Sequence, residues 1–515
     1  MFKEIKADLP ASIVVLFVAI PLCLGIALAS GAPLLSGVIA GIIGGIVVGS
    51  ISKSSIGVSG PAAGLAVIVL NSIETLGGFE IFLLAVVIAG FLQIGMGYLK
   101  AGVIGYYFPS SVIKGMLTGI GIVIILKQIP HAFGYDADYE GDFAFFQPDG
   151  QNTLSELFYM LDYISFNSLL VAVLGFVIIL FWDNILAKKH AFFKTIQGPI
   201  VAVIFGILYQ IVTSNFFPSW AILADHTVSV PLFSNSSEFF ALFTMPDFSQ
   251  ITNVNVFTVA ITIAVVASLE TLLSVEATDK LDPEKRVTPA NRELIAQGYG
   301  NIASGLIGGL PLSQVIVRSS ANVQSGGKTK LSTIMHGIFL LLVLVAIPRV
   351  LNLIPLSVLA SILILVGYKL AKPALFKHMY QQGKAQYLPF FATIIGLVFT
   401  DLLVGIGIGL LIGIINILLK NFRNSHFLHL TESDSRKGHK VNIVLSEEVT
   451  FLNKAAIMVE LNKIEDGSEV VIDMSKSYHI DYDVLEIIDN FEHSASSRDM
   501  NVHLIGRGSR ETLDY

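Results

Sequence analysis

An arginine and a glutamate stand in stretches that are otherwise almost wholly apolar: Arg318 in GGLPLSQVIVRSS (residues 308–320) and Glu270 in AITIAVVASLETLLSVEATDKL (260–281). A carboxylate taken out of water is costly unless it is protonated, paired or bound to a cation. Two cation chemistries therefore suit Glu270. It can take up a proton, or it can join Ser274, one turn on along the same helical face, and backbone carbonyls as hard oxygen ligands for Na⁺. A permanent ion pair with Arg318 is the purely structural use of the same two charges. Glu276, two residues past Ser274, is expected at the cytoplasmic interface. An arginine near the bilayer centre costs about 2.5–3.5 kcal/mol even on the lenient insertion scale. It either snorkels to the cytoplasmic interface, near Lys328, or supplies positive potential beneath an anion, for which a permanent charge and a planar fork of donors are suited. We prefer the second reading.

The elements that must position these charges are broken ones. VSGPAAGLAVIVL (58–70) carries Gly60-Pro61 inside an apolar run, and Gly309-Leu310-Pro311 interrupts the later stretch in the same way. Each predicts an extended approach followed by a half helix that begins near mid-membrane, with the proline in its first turn. A start at Leu312 puts Arg318 about two turns along the second half helix. The first N–H groups of a helix lack an intrahelical partner and carry about half a positive charge, so two such ends facing each other make an anion site. Paired interruptions in corresponding halves of a chain point to a transporter's binding site; taken singly, each would be a packing kink.

Of 515 residues, 53% are hydrophobic and 14% charged, and the mean hydropathy is +0.73. This is the composition of an integral membrane protein. Apolar runs lie near residues 11–30, 33–51, 58–76, 80–99, 103–130, 165–187, 196–213, 254–279, 290–309, 311–326, 330–347, 353–371, 386–402 and 403–420, about fourteen helical segments. The N-terminal run reads as a retained first span. The stretch from His131 to Asp162 holds Asp136, Asp138, Glu140, Asp142 and Asp149 and no Lys or Arg, and the stretch 214–253 also lacks basic residues. Both are therefore expected outside, with lysines in the alternate connections and both termini cytoplasmic. From about Asn424 the chain reads as a soluble βα domain, with apolar stripes Ala455, Ile457, Met458, Leu461, Ile464 and Val484, Ile487, Ile488, Phe491 packing a core.

The one cysteine, Cys23, excludes a disulfide framework. The histidines lack metal-ligand spacing, G-x-S-x-G and HExxH do not occur, and SGGKTK lacks the preceding glycine of a phosphate loop. No enzyme and no nucleic-acid binding is expected, and an intramembrane enzyme is only a distant alternative. An uncoupled anion channel or exchanger is a nearer one, because helix ends and one arginine need no cation.

The run NRELIAQGYGNIASGLIGGLPLSQVIVRSSANVQSGGKTKLS (291–332), with SLETLLSVEATDKL and SGPAAG, resembles the SulP family of inorganic anion transporters over nearly the whole chain. The resemblance implies an α-helical polytopic protein of fourteen segments in two inverted seven-segment repeats, divided into core and gate domains over residues 1–423. A cytoplasmic α/β STAS-like domain over 438–515, assembly as a homodimer and residence in the plasma or inner cell membrane are implied with it. The implied function is secondary transport of a small inorganic anion, bicarbonate or sulfate. The implied substrate site lies between the half helices at Ala62-Ala63 and Ser313-Gln314-Val315-Ile316, with Arg318 behind it and Leu22 and Ile26, next to Pro21, lining the cavity. Glu270 matches the family's coupling acid. Sodium-dependent bicarbonate relatives resemble one another in an Asp with a Thr one turn later and a Thr in the second half helix, where this chain has Glu270, Ser274 and Ile316. Proton-coupled relatives carry Glu. No cofactor is implied beyond a possible co-transported Na⁺ at Glu270 and Ser274. In the tail, Tyr482-Asp483 stand where regulatory STAS domains have a phosphorylatable serine after Asp, so no kinase switch is expected there.

Overall fold

The computed structural model describes residues 4–137, 145–147, 150–189, 193, 197–230, 232, 243–423, 426–431 and 440–506. It divides into two compact units, Met1–Leu410 and Leu411–Tyr515.

The first unit is helical. Its helices, in chain order, are α1 (Ile5–Ala29), α2 (Leu34–Ile43, running on through a π turn and a short helix to Ile51), α3 (Ala66–Leu76), α4 (Phe79–Tyr98), α5 (Ser110–Phe133), α6 (Phe166–Phe181), α7 (Gly198–Phe216), α8 (Val254–Leu281), α9 (Ala290–Leu306), α10 (Ile316–Gln324), α11 (Lys330–Ala346), α12 (Leu356–Leu370), α13 (Lys384–Phe399) and α14 (Leu402–Arg423), the last running into the second unit. Nine helices among the described residues are long and apolar enough to cross a membrane. The α3 segment, α11 and α13 are apolar but shorter.

Helices α1–α4 pack mainly with α8–α11, and α5–α7 mainly with α12 and α13. Within each group small residues let backbones meet, as membrane helices require where the hydrophobic effect cannot drive association. A Cβ added at Gly90 of α4 would lie 2.6 Å from the Gly298 carbonyl oxygen of α9, and one at Gly298 would lie 2.6 Å from the Gly90 oxygen. Gly121 of α5 and Gly367 of α12 face each other with the same spacing.

The expected extended approach is present twice. Ser59–Pro61 (β1) and Leu312–Gln314 (β2) pair antiparallel, Ser59 opposite Gln314 and Pro61 opposite Leu312. The half helices start later than the sequence suggested. After β1 a 3₁₀ turn, Ala63–Leu65, leads into α3, and after β2 the helix begins at Ile316, not Leu312, so Arg318 is its third residue. The prolines do not occupy a first helical turn: Pro61 ends β1 and Pro311 immediately precedes β2. A residue without an N–H is tolerated at a strand's end, and the extended backbone before a proline favours strand over helix. The run expected at 103–130 is likewise divided, into a 3₁₀ stretch Ala101–Tyr107 and α5.

The second unit holds a four-stranded sheet of β3 (His426–Thr431), β4 (Lys440–Leu445), β5 (Glu469–Asp473) and β6 (Asn501–Ile505). β3 runs antiparallel to β4, and β4, β5 and β6 are parallel. Helices α15 (Lys454–Lys463) and α16 (Tyr482–Ala495) contribute Ile457, Leu461, Val484, Ile488 and Phe491 to its core. The apolar stripe of α15 is rotated from the expected one: Ala455 and Met458 are exposed and Ala456 is buried. Asp138, Glu140, Asp142, Asp149 and the chain after Gly506 lie outside the described residues.

Candidate anion and coupling site

The two half-helix starts are built alike. Ala62 before the 3₁₀ turn (φ −102°, ψ 122°) and Val315 before α10 (φ −107°, ψ 118°) are extended N-cap residues, and neither start has a side-chain cap. Most helices satisfy their first N–H groups with a Ser, Thr, Asp or Asn side chain at the N-cap; neither N-cap residue does so here. Ala62, Ser313, Gln314 and Ile316 are buried, while Ala63 and Val315 are partly exposed.

Glu270 of α8 lies between the crossing segments. Its buried carboxyl group faces the Gly64 backbone N–H of the first segment and the Ser313 hydroxyl of the second, and a Cβ at Gly64 would come within 3.3 Å of its Oε1. Among the described residues no ion pair joins Glu270 to Arg318 and no hydrogen bond joins it to Ser274, which is buried one turn further along α8. Oε2 has no hydrogen-bond partner there. The hydroxyl that faces its carboxyl group is that of Ser313, from the other half of the chain.

Arg318 is fully buried and does not snorkel. Its Nη2 lies 3.3 Å from Cys23 Sγ of α1, and Nε and Nη1 have no hydrogen-bond partner among the described residues. The guanidinium fits only because β1 carries a glycine beside it: a Cβ at Gly60 would sit 2.2 Å from Nη1. His336 of α11, also fully buried and with neither ring nitrogen hydrogen-bonded, feels the same guanidinium charge. The region behind the crossing is therefore positive and short of acceptors, an arrangement that attracts an anion.

The strands are held by side chains of α8 and α9. Asn301 grips β2 at both backbone groups of Leu312, accepting from its N–H at 2.8 Å and donating to its carbonyl at 3.1 Å, and also donates to Gln93 at 2.7 Å. Gln297 donates to Ser59 of β1 at 2.7 Å and to Glu293 at 2.8 Å, and Ser52 donates to Glu293. Ser304 donates to the Leu310 carbonyl at 2.7 Å. Thr271 accepts from the Gln314 N–H at 3.2 Å, and Thr278 accepts from the Gln314 side chain at 3.1 Å. That side chain is occupied in holding α8.

With this geometry in place, comparison with known proteins is decisive on one point. Residues 5–393 match the sulfate permease family. The chain belongs to that family. It is 28% identical to a Bacillus subtilis (strain 168) relative named "Putative sulfate transporter YvdB", over 80% of this chain and 73% of that one. It is 25% identical to "Bicarbonate transporter BicA" of Picosynechococcus sp. (strain ATCC 27264 / PCC 7002 / PR-6), over 98% of this chain and 89% of that one. The solved transmembrane domain of a cyanobacterial BicA superposes with a TM-score of 0.56 at 26% identity, covering 79% of this chain and 98% of that one. SLC26A9 shares the fold, with a TM-score of 0.67 at 13% identity over 99% of this chain and 86% of that one. The relatives are named transporters, not enzymes, and the chain is a helical, multi-pass member of a sulfate and bicarbonate transporter family.

Sequence reading brought Ala62, Ala63, Ser313, Val315, Ile316, Arg318 and Glu270 to one region of the family fold. Leu22 and Ile26 are both buried in α1. A separate cavity of about 360 Å³ beside that helix is lined on α1 by Pro21, Leu24, Gly25 and Leu28. The holding residues Glu293, Gln297, Asn301 and Ser304 were missed as individuals, although polar residues repeating every three or four positions in a membrane helix are a legible stripe.

Replacing Asn301 with leucine leaves the buried Leu312 N–H and carbonyl without partners, at about 1–3 kcal/mol for each unmet group. The purified variant is expected to unfold at a lower temperature and to lose most anion transport. Unfolding at the wild-type temperature would show that Asn301 does not hold β2.

Proposed function

We propose that this chain is a secondary active transporter of a small inorganic oxyanion, sulfate or bicarbonate, that works by alternating access and couples movement to H⁺ or Na⁺ at Glu270. The observation that supports it most is the position of Glu270, against Gly64 and Ser313 at once. An anion held by the two uncapped helix starts then lies beside this carboxylate. Two negative charges so placed repel, and a proton or Na⁺ on Glu270 removes the repulsion; anion and cation therefore bind together more readily than either alone. Ala62, Ala63, Ser313 and Ile316 supply backbone and hydroxyl donors, Gln314 and Val315 the backbone that seats them, Arg318 the potential behind them, and Leu22 and Ile26 the packing from α1. Each helix end contributes about 0.3–1 kcal/mol, up to ~2 when partly buried, which suits a site that must release its anion.

In this reading residues 1–423 form the transport domain, as two inverted repeats of seven segments in which α3 and α10 are the corresponding broken members. The group α1–α4 with α8–α11 is the core, and α5–α7 with α12–α14 the gate. Residues 438–515 form a cytoplasmic STAS-like domain, to which β3 adds an earlier edge strand. The protein works as a homodimer in the plasma or inner cell membrane with both termini cytoplasmic.

The test is uptake of labelled sulfate and labelled bicarbonate into proteoliposomes under inward H⁺ and Na⁺ gradients imposed separately. Proton-driven sulfate uptake makes Glu270 a titrating switch, whereas sodium-driven bicarbonate uptake makes Glu270 and Ser274 a cation site. Conductance or exchange indifferent to both gradients would overturn coupling.

A further inference from the structure

The cavity of about 360 Å³ beside α1 does not contain Glu270 or Arg318, yet it holds a compact set of titratable groups. Pro21, Leu24, Gly25 and Leu28 form its wall on α1, and His131, Asp136 and Asp225 are its titratable lining. Asp136 is 7% exposed and is bonded on both sides: His131 Nδ1, at the end of α5, lies 2.5 Å from one carboxylate oxygen, and His226 Nδ1 lies 2.6 Å from the other. The His226 bond joins the stretch after α5 to the segment before α8. That segment is seated in turn on the entry to α12, where the Val228 N–H donates to Ile354 O at 2.9 Å and the Val230 N–H to Asn352 Oδ1 at 2.7 Å.

We propose that His131, Asp136, His226 and Asp225 form a proton-set charge filter for anions at the mouth of this cavity. The proposal rests on the anion-transport reading for its purpose, but not for its physics. With both imidazoles protonated, their two positive charges balance the two carboxylates; with both neutral, two negative charges remain at the mouth. A neutral imidazole that keeps its proton on Nδ1 still donates to Asp136, so the second proton comes and goes at Nε2 while the geometry holds. The filter goes from neutral to doubly negative without a change of fold.

Asp136, Asp225 and His131 are the charged groups that act on His226, and His131 and His226 those that act on Asp136. His226 is raised by the hydrogen bond it donates to Asp136, against the effect of burial, with the charges of Asp136 and Asp225 adding to the rise and His131 opposing it. Burial pushes Asp136 up, but the hydrogen bonds from His131 and His226 outweigh it and hold the carboxyl below the usual carboxylate range. The sign follows from linkage. The stabilisation from His226 is complete below its ordinary value of 6.5 and is lost as pH rises through the raised value. That from Asp136 is complete above its ordinary 3.8 and is lost as pH falls through the depressed value. The tether is strongest between these limits, and anions enter most easily on the acid side of the His226 transition.

The test reads local potential directly. Leu28→Cys places a thiol on the cavity wall of the full-length protein, whose native Cys23 is fully buried. In proteoliposomes the thiol is reacted with an anionic and a cationic methanethiosulfonate between about pH 5.5 and about pH 8.5. The thiolate fraction cancels in the ratio of the two rates. Two unit charges on the order of 10 Å away act oppositely on the two reagents, so the anionic-to-cationic ratio is expected to fall about tenfold as pH rises. It should be flat in His131→Gln/His226→Gln. In Asp225→Asn, which leaves both Asp136 hydrogen bonds in place, the ratio should rise at high pH. A pH-independent ratio in the parent, or a fall that persists in the double variant, would overturn the filter. Sulfate and bicarbonate uptake by the same vesicles reports separately on transport, so either idea can fail alone.

Discussion

Glu270→Gln is expected to abolish gradient-driven accumulation of the anion while leaving anion exchange and binding in place. Glutamine has the shape of the side chain it replaces and can still accept from the Gly64 N–H and the Ser313 hydroxyl, the two groups that face Glu270. What it lacks is charge. Two like charges about 5 Å apart at an effective dielectric of about 20 repel by about 3 kcal/mol, on the order of a hundredfold in affinity. That difference is the most a cation at this position can contribute to coupling, and the variant forgoes all of it. Labelled anion inside vesicles should then rise only to the external concentration, and affinity should no longer respond to the coupling cation. Accumulation by the glutamine variant at the wild-type level would end the coupling role.

Gly60→Ala is expected to have the second large effect, through sterics. The added methyl would stand 2.2 Å from Arg318 Nη1, inside any permissible contact. The guanidinium has nowhere to retreat, being fully buried with Cys23 on one side and Gly41 close by. Overpacking of this kind typically costs about 1–3 kcal/mol, and more where neither partner can move. Transport should fall at least tenfold, with a lower unfolding temperature. Arg318→Ala removes the charge and leaves a void, so it should raise the KM for the anion about tenfold or more. The double variant Gly60→Ala/Arg318→Ala should recover stability but not affinity. Wild-type transport by Gly60→Ala would mean that the arginine does not occupy the place against β1 in the working protein.

Much of this site can be read from the chain because membranes make exceptions conspicuous. Arg318, Glu270 and the two glycine-proline interruptions stand out against apolar surroundings, and irregular backbone at membrane depth has few uses. The details that escaped depend on pairing between distant segments. Nothing within 308–320 says that Leu312–Gln314 will meet Ser59–Pro61, and without that partner a helix from Leu312 is the natural reading; pairing moved the start to Ile316. Ser274 sits at helical spacing from Glu270, but the hydroxyl that faces the carboxyl is Ser313, more than forty positions on. The lack of Lys and Arg in the stretches after His131 and over 214–253 indicated a common side for them, and the Asp136–His226 bond joins the two directly. The charge of those stretches was legible; the bond was not.

The hold of α9 on both crossing strands bears on how the chain is made. Glu293, Gln297 and Asn301 would be unwelcome in lipid on a lone helix, each seeking a partner that hydrocarbon does not supply. Their partners include Ser52 and Ser59, translated long before them, and Leu312, translated just after. β1 meanwhile leaves the ribosome with its own partner strand some 250 residues behind it. The first half of the chain must therefore wait in the bilayer with an open strand edge, and α9 becomes a settled membrane helix only when that waiting half closes around it. A chain interrupted between α7 and α8 should be a substrate for membrane proteases, and the two halves made as separate polypeptides should rescue each other only when synthesised together.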